Sequence, residues 1–374
     1  MRLITQIFIF VLFYLVGSRT ILFSEPVKSS PVEHLKLVHA DSLVIVSIKG
    51  RDVHELWGNV QLVQGEAFLS CEMAKWWQGE DRLLLLGMVT IYDGKRTLKA
   101  DRIYYDGKTR VEKAFGHVLL ESKKRKLKAR SLIYFQKKEK AFASGDVVIS
   151  DLIEKVKLLG EKALYDRSMD YGVIEGCPRL VKIDTTSGKM MIVRGLKIEA
   201  WGKEQRAVVS DSVQITKGDM KAFCQKAEYR SEKDLLILKI EPIVWQQQRE
   251  MRADNINIQL EGLKFSRAFL TGKAEIISKE DSVKNVLNGE KITVTASDDT
   301  VRRVVVEGQA SSMYHIFDEV RHEQGTNSVT GDIIVLTFDE NRLKEVKVKS
   351  SPGQCTGVYT PIEVSTGMVK GKSL

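Results

Sequence analysis

The sequence predicts an all-β protein, an elongated and solenoid-like antiparallel array of repeats of about 29 residues that contribute two strands each. Three observations lead to this prediction. Apolar tetrads recur every 29 residues, a second set of positions recurs in step between them, and Asp-Gly dipeptides stand at strand ends. No convincing helical periodicity follows residue 40, so the body is predicted to be nearly all strand.

Each tetrad has small or apolar residues at positions i, i+2, i+4 and i+6, which is the period of a strand with one buried face. The copies, separated by 29, 29 and 29 residues, are Leu56/Gly58/Val60/Leu62, Leu85/Gly87/Val89/Ile91, Ala114/Gly116/Val118/Leu120 and Ala143/Gly145/Val147/Ile149. The positions between them, such as Asn59, Thr90 and Asp146, are mostly polar. One face of these strands is therefore expected to be buried and the other to be in water.

The second set changes parity once per repeat, which predicts a β-bulge or a bend beside Glu72 and Asp101. Its copies are Leu69/Cys71/Ala74/Trp76, Leu98/Ala100/Ile103/Tyr105, Leu127/Ala129/Leu132/Tyr134 and Leu158/Gly160/Ala163/Tyr165. A bulge would return both halves of the strand to one interior. The hairpin-turn dipeptides are Asp93-Gly94 and Asp106-Gly107. Each repeat is predicted to be two antiparallel strands joined by tight turns.

The chain divides into five predicted segments. Residues 1–24 are expected to be a signal peptide or an N-terminal membrane anchor, since Ile7 to Val16 is an apolar run without a charge. Residues 25–39 form a linker, 40–185 a first repeat region, 186–362 a second and less regular repeat region, and 363–374 a tail. The irregular stretches 190–201 and 281–288 are candidate places for a seam or an insertion. Either form of the N-terminus places the body outside the cytoplasm.

The formal net charge of +9 is concentrated in one part of the chain. Residues 95–140 contain 16 Lys and Arg and 5 Asp and Glu, a net of +11, so the remaining residues sum to −2. The centre of this patch is Lys123, Lys124, Arg125 and Lys126. A solvated hairpin tip explains such a cluster, and so does a rim that meets the phosphates of a lipid or an anionic leaflet. Nucleic acid is not an expected partner outside the cytoplasm.

The sequence has none of the usual catalytic or nucleotide-binding spacings, namely HExxH, GxSxG, a Walker lysine loop or GxGxxG after a strand. Carboxylates such as Asp101 and Glu112 are expected on the wet face, and His117 is expected to be solvated. The four cysteines have no metal-ligand spacing, and Cys71 stands where other repeats have small core residues. We therefore expect no enzymatic activity, cofactor or metal, and we assign no disulfide.

The inward-facing residues of the two repeated sets form an interior column, and this column is the feature of the sequence that indicates a function. A closed, packed core explains it, and so does an incompletely closed trough whose lining accepts acyl chains. The candidate ligand-binding residues are Leu56, Val60, Val89, Ile91, Ile103, Tyr105, Val118, Leu120, Leu132, Tyr134, Val147 and Ile149.

The pattern of repeats resembles that of the OstA-like family. This family is a periplasmic domain shared by bridge, anchor and outer-membrane-partner proteins of bacterial lipopolysaccharide transport. The residues that carry the resemblance are Leu98-Lys99-Ala100-Asp101 to Tyr105-Asp106, Ala163-Leu164-Tyr165-Asp166, Val329-Thr330-Gly331-Asp332-Ile333 to Phe338, Leu343 to Val348, and Gly357-Val358-Tyr359. The resemblance spans about residues 40–360, over roughly twice the length expected for one bridge domain. The two repeat regions thus look like two fused or extended OstA-like regions.

The resemblance implies an open β-jellyroll whose interior shields lipid A acyl chains. It also implies a periplasmic location, partners among other OstA-like transport components through edge-strand pairing, and a head-to-tail homo-oligomer. We therefore expect a lipid-binding bridge or carrier for lipopolysaccharide. The alternative is an exported structural or adhesive β-repeat protein with a closed core and no lipid ligand.

Overall fold

The computed structural model describes residues 35–362, except 49, 154, 184–187, 189, 262–263, 281–282, 298–299, 319–321 and 340–341. The predicted signal peptide or anchor, most of the linker and the predicted tail at 363–374 lie outside the described residues. Within the described part, no helix is both long enough and apolar enough to cross a membrane.

The described residues form 26 strands, and each pairing that the structure gives is antiparallel. The strands in the first part of the chain are β1 Lys36–His39, β2 Ser42–Ile48, β3 Arg51–Gln64, β4 Ala67–Trp77, β5 Arg82–Tyr92, β6 Arg96–Asp106, β7 Val111–Ser122, β8 Arg125–Phe135, β9 Lys140–Asp151, β10 Val156–Asp166, β11 Tyr171–Glu175, β12 Arg179–Ile183, β13 Met190–Arg194, β14 Lys197–Trp201, β15 Arg206–Lys217 and β16 Met220–Arg230. They are followed by β17 Leu235–Lys239, β18 Ile243–Gln246, β19 Arg249–Arg252, β20 Asn255–Glu261, β21 Lys264–Glu280, β22 Val283–Ser297, β23 Thr300–Phe317, β24 Glu323–Asp339, β25 Arg342–Lys349 and β26 Thr356–Pro361. The all-β, antiparallel prediction is confirmed.

The chain forms two compact units. Of the described residues, unit 1 comprises those up to 218 together with 226–234, and unit 2 comprises 219–225 and those from 235 onwards. In unit 1, β3 to β10 pair in chain order as a meander, and β1 and β2 pair with the two ends of β3. Residues 190–201 form β13 and β14, which both pair with β15. The predicted domain boundary at residue 186 stays a prediction.

A β-bulge divides each long strand of unit 1 into two halves. Gly58 and Asn59 on β3 together oppose Glu72 on β4, since Trp57 pairs with Met73 and Val60 pairs with Cys71. The same arrangement recurs along the meander. The register shift lies at the predicted level, beside Glu72, but the extra residue belongs to the glycine strand rather than to its partner. Both halves of each strand thereby present apolar side chains to one interior.

The repeated glycines are required at these bulges. Gly116 has a φ of +73°, a left-handed conformation that side chains disfavour, and a Cβ there would overlap the Asp101 carboxylate. The sequence pattern suggests that these glycines are members of the interior column. The structure shows instead that they are half-buried residues of the bend.

The predicted turn dipeptides also lie where expected. Asp93-Gly94 joins β5 to β6, and the Asp93 amide donates to the Arg96 carbonyl at 3.1 Å. Asp106-Gly107 opens the connection from β6 to β7, and the Gly107 amide donates to the Asp81 carbonyl at 2.8 Å. These tight turns keep successive strands in register.

Unit 2 uses the same device with longer strands. Gly272 and Lys273 on β21 oppose Glu290 on β22, and Gly308 and Gln309 on β23 oppose Asp332 on β24. The strands β21 to β24 have 15 to 18 residues, whereas β4 to β10 have 11 or 12. Because each strand is longer, the bulge glycines lie further apart in sequence and the 29-residue period is lost.

Candidate functional site

The interior of unit 1 contains the predicted ligand-binding column. Ten of the twelve predicted side chains are at most 5% exposed, and these are Leu56, Val60, Val89, Ile91, Ile103, Tyr105, Val118, Leu120, Val147 and Ile149. Leu132 and Tyr134 are only half-buried. The structure thus brings the column together on one face, with a less completely covered place on β8.

The bulges explain how both halves of one strand contribute to this face. On β6, Leu98 and Ala100 lie on one side of the register shift and Ile103 and Tyr105 lie on the other, and all four are buried although Ala100 and Ile103 are three residues apart. Because Gly87 and Met88 on β5 together oppose one residue of β6, the side-chain alternation of β6 shifts here and both of its halves face the interior. The result is an apolar lining that continues from strand to strand.

Glu112 on β7 lies in this interior, so its prediction as a wet-face carboxylate is wrong. It is 8% exposed and pairs across the ladder with Tyr105 on one side and Tyr134 on the other. Its Oε1 has no hydrogen-bond partner in the described structure. Burial raises the pKa of Glu112 to about 7, while the positive charge of Arg96 acts in the opposite direction. Glu112 shares the parity of buried Ala114, and that was the available signal in the sequence.

The predicted basic rim separates into two kinds of residue. Lys123 and Lys124 are exposed in the turn between β7 and β8. Arg125 is buried, and its Nε donates to Asp151 Oδ2 at 3.0 Å. Lys126 is half-buried and its Nζ lies 3.1 Å from Glu121 Oε2. Only the first two side chains therefore present free positive charge to an external phosphate.

His117 and the cysteines, candidate functional residues in the sequence, do not form a site with other titratable side chains of the described residues. His117 is exposed and its Nδ1 lies 2.9 Å from Asp101 Oδ2. Cys71 is buried in the core, and burial raises the pKa of its thiol to about 11. None of the four cysteines, which all lie in the described part of the chain, forms a disulfide. In the described part of the chain, no group of three or more His, Cys, Asp or Glu side chains could hold a metal ion.

A cavity in unit 2 was not predicted from the sequence. Its volume is about 470 Å³, and it lies between the two halves of the strands β19 to β24. Its lining residues include apolar side chains such as Met251, Phe265 and Leu336, together with Arg249 and Asn285. The sequence signal was weak here, because the second repeat region is irregular and Arg249 stands on a strand of only four residues.

Two family models match the chain. An OstA-like protein model matches residues 32–153, and a model described as LptA/(LptD N-terminal domain) LPS transport protein matches residues 111–262. The matched ranges overlap and together contain all of the predicted interior column.

Among solved structures, the chain is similar to LptH, described as the LptA homologous periplasmic component of the conserved lipopolysaccharide transport device from Pseudomonas aeruginosa. The sequence identity is 14%, the likeness covers 39% of this chain and 82% of that chain, and the TM-score is 0.22. No curated protein matches the chain.

Proposed function

We propose that the chain is a periplasmic lipid-binding bridge or carrier, a role supported by the match of an OstA-like protein model to residues 32–153 and of an LptA/(LptD N-terminal domain) LPS transport model to residues 111–262. It shields the acyl chains of lipopolysaccharide, its lipid A part, in an apolar β-trough during transport to the outer membrane. The observation that carries the proposal is the interior of unit 1. There, bulges keep the buried faces of successive strands continuous within the matched residues.

The affinity in such a trough comes from removing acyl methylenes from water, at about 0.8 kcal/mol for each methylene. This attraction has no direction, so a chain can move between similar sites along successive strands. The proposed role needs no nucleotide chemistry and no catalytic group in this protein. The energy for directional transport would come from a partner.

The exposed side chains of Lys123 and Lys124 would meet the lipid A phosphates at the rim. Arg125 does not take part, because its side chain is held by Asp151. The rim proposal therefore rests on two lysines rather than on the whole basic cluster.

Partners would join by pairing of edge strands. On β2, Leu43, Val44 and Ile45 are 47%, 47% and 57% exposed, and on β26, Val358 and Tyr359 are 57% and 53% exposed. Apolar strands with exposed side chains are suited to addition of a strand from another chain. Other OstA-like components, or a second copy in head-to-tail order, fit this mode.

Photo-crosslinking tests the lipid site. Tyr134 and Phe135 are neighbours on β8, but Tyr134 is on the inner face and Phe135 packs against Phe142 on the outer face. With benzoylphenylalanine at each position in turn, purified lipopolysaccharide is expected to crosslink from position 134 and not from position 135. Crosslinks from position 135 alone would contradict the proposal.

The competing role is a structural β-repeat protein with a closed core. The observation in its favour is the near-complete burial of Val60, Leu62 and Ile91, at 0% exposure each. A delipidated sample with a hydrophobic dye distinguishes the two roles. A trough binds the dye and releases it to lipid A, whereas a sealed core binds little dye.

A further inference from the structure

Most of the side chains that line the cavity in unit 2 are apolar. Its volume of about 470 Å³ lies in the range of pockets that bind small molecules. Met251, Ile276 and Leu287 come from one half of the bent strands, and Val294, Val304 and Leu336 come from the other half. All six side chains are buried, so this space suits an alkyl chain.

A row of polar side chains crosses one wall of the cavity. Arg249 on β19 pairs with Ser278 on β21, and Ser278 pairs with Asn285 on β22. Tyr314 on β23 also lines the cavity. Four neighbouring strands thus place polar side chains at one level, beside a wall that is otherwise apolar. A closed hydrophobic core does not explain such a row, since burial of polar side chains is unfavourable unless each finds a partner.

Asn285 has an unused hydrogen-bond donor. The side chain is 4% exposed, and its Oδ1 accepts a hydrogen bond from the His315 amide at 2.9 Å. This bond fixes the orientation of the amide group, and its Nδ2 has no hydrogen-bond partner in the described structure. A buried donor without an acceptor costs free energy, and a ligand oxygen would remove that cost.

Arg249 supplies positive charge to the same wall. Its guanidinium carbon lies 6.0 Å from the centre of the Phe338 ring, a distance at which cation–π attraction operates. No carboxylate of a described residue lies within ion-pair distance of it, and burial lowers the pKa of Arg249. Lys279 is a second cation among the lining residues that the structure describes, and none of these is an Asp or a Glu. The described lining of the cavity therefore carries positive charge without a carboxylate beside it.

We propose that the unit 2 cavity is a binding site for an amphiphile with an oxyanion head, a phosphate or a carboxylate on an alkyl chain. The chain occupies the apolar space, Arg249 binds the head group, and the Asn285 Nδ2–H donates to one of its oxygens. The exposed side chains of Gln247 and Gln248 border the cavity, so the head group lies near water. This site goes beyond the proposed function, because its residues belong to unit 2 and lie largely outside the matched family ranges.

Tetradecyl phosphate with a diazirine in its chain tests the site on the full-length protein. Peptide mapping after photolysis is expected to find adducts on residues 251–336 of the cavity wall. Tetradecanol with the same diazirine is expected to label these residues at least tenfold less at equal concentration, and inorganic phosphate alone is expected to compete only weakly, because it lacks the chain. Equal labelling by the alcohol would overturn the recognition of the anion.

Arg249→Gln is expected to weaken tetradecyl phosphate binding roughly 10- to 100-fold, the usual effect of losing a charge-assisted hydrogen bond. Arg249→Lys keeps the charge and should restore part of the affinity. Arg252→Gln is the matched control, since Arg252 is exposed on the same strand and its Nε donates to Glu250. Unchanged labelling in Arg249→Gln, or an equal loss in Arg252→Gln, would overturn the proposal.

A stability measurement separates a binding role from a structural one. Without ligand, Arg249→Met is expected to raise the melting temperature or leave it unchanged, because a half-buried cation without a carboxylate partner among the described residues does not stabilise the fold. A clear decrease would show that Arg249 is structural and would overturn the proposal. Because crosslinking from Tyr134 reports on unit 1 alone, failure at either site is recognised independently of the other.

Discussion

The glycine of each bulge meets two separate requirements, a left-handed backbone and close contact with a side chain from the neighbouring strand. A comparison of Gly116 with Gly94 distinguishes the two requirements. Both have positive φ, +73° and +82°, but a Cβ on Gly116 would lie 2.9 Å from the Asp101 Cβ, whereas no atom lies within 4 Å of a Cβ on Gly94. The pair therefore offers a matched comparison of backbone strain with and without steric overlap.

We expect Gly94→Ala to lower the free energy of unfolding by about 1–2 kcal/mol, the cost of the left-handed conformation alone. Gly116→Ala should cost about 1–3 kcal/mol more, because the overlap with Asp101 forces strand β6 to shift. Urea unfolding followed by circular dichroism measures both values. Equal losses would mean that the bulge relaxes freely and that the repeated glycine is needed for its backbone alone.

Buried Glu112 makes stability depend on pH. Its pKa of about 7 in the folded protein lies above the ordinary value of 4.5, so the folded state binds more protons between these two values. Stability therefore falls as pH rises from about 4.5 to 7, by an amount on the order of 3 kcal/mol. Glu112→Gln should remove this fall, so that the variant gains melting temperature over the wild type at pH 8 but not at pH 4.

A melting temperature measured across this pH range checks the expectation. Glu121→Gln serves as a control because Glu121, on the same strand, is half-buried and paired with Lys126. If the wild type and Glu112→Gln differ by the same amount at both pH values, the carboxyl group is not titrating in the interior.

For Glu112 and Arg125, residue type alone leads to the wrong prediction of a surface location. Each is a charged residue at an inward position of an otherwise apolar column, and composition alone favours a surface location for both. Strand parity places them correctly, because Glu112 is two residues before Ala114 and Arg125 is two residues before Leu127, both of which are buried. The burial of Arg125 depends on a long-range partner, Asp151, which spacing within one strand does not reveal.

At the level of the hairpin between β7 and β8, the buried ion pair of Arg125 and Asp151 lies next to the two exposed lysines proposed to bind lipid. Arg125→Ala removes the positive charge that faces the buried Asp151 carboxylate and should cost about 3–5 kcal/mol of stability. The double variant Lys123→Glu, Lys124→Glu should change stability by less than about 1 kcal/mol, because both side chains are exposed. It should, however, weaken binding to lipopolysaccharide, and this loss should shrink at high salt.

Urea unfolding and lipopolysaccharide binding at two salt concentrations measure the two effects. Lys137→Glu, Lys138→Glu provides the control, since these exposed lysines lie after β8, at its other end. If this control lowers binding as much as the rim variant, the effect is general electrostatic attraction and the rim is only a solvated turn.

The elements were predictable to different degrees in the two units. Between β4 and β10 of unit 1, strands of 11 or 12 residues and tight turns give a constant period, so the strands, turns and bends could be located from sequence. In unit 2, strands of up to 18 residues and loops of varied length remove the period. The cavity could not be predicted from the sequence of either unit. It depends on Arg249, Ser278 and Asn285, which come from three separate strands and lie at one level of the sheet.

For the whole molecule, local pairing has a thermodynamic consequence. In a meander, each strand depends mainly on its immediate neighbours, so a local defect is expected to affect the unit that contains it. Gly116 and Gly308 occupy equivalent bulges in unit 1 and unit 2, and each approaches an acidic side chain, Asp101 and Glu290 respectively. They allow the same substitution to be made once in each unit.

Amide hydrogen exchange on the full-length protein is the measurement. Gly116→Ala is expected to speed exchange in β6 to β9 by about tenfold or more, the kinetic equivalent of a loss of about 1.4 kcal/mol, and to leave β21 to β24 near the wild-type rate. Gly308→Ala should give the reverse. A uniform increase across both sets of strands, from either substitution, would show that the two units open together as one cooperative structure. Separate responses would mean that the proposed lipid site in unit 1 and the cavity of unit 2 can each be altered without loss of the other, a condition that the ligand tests at both sites depend on.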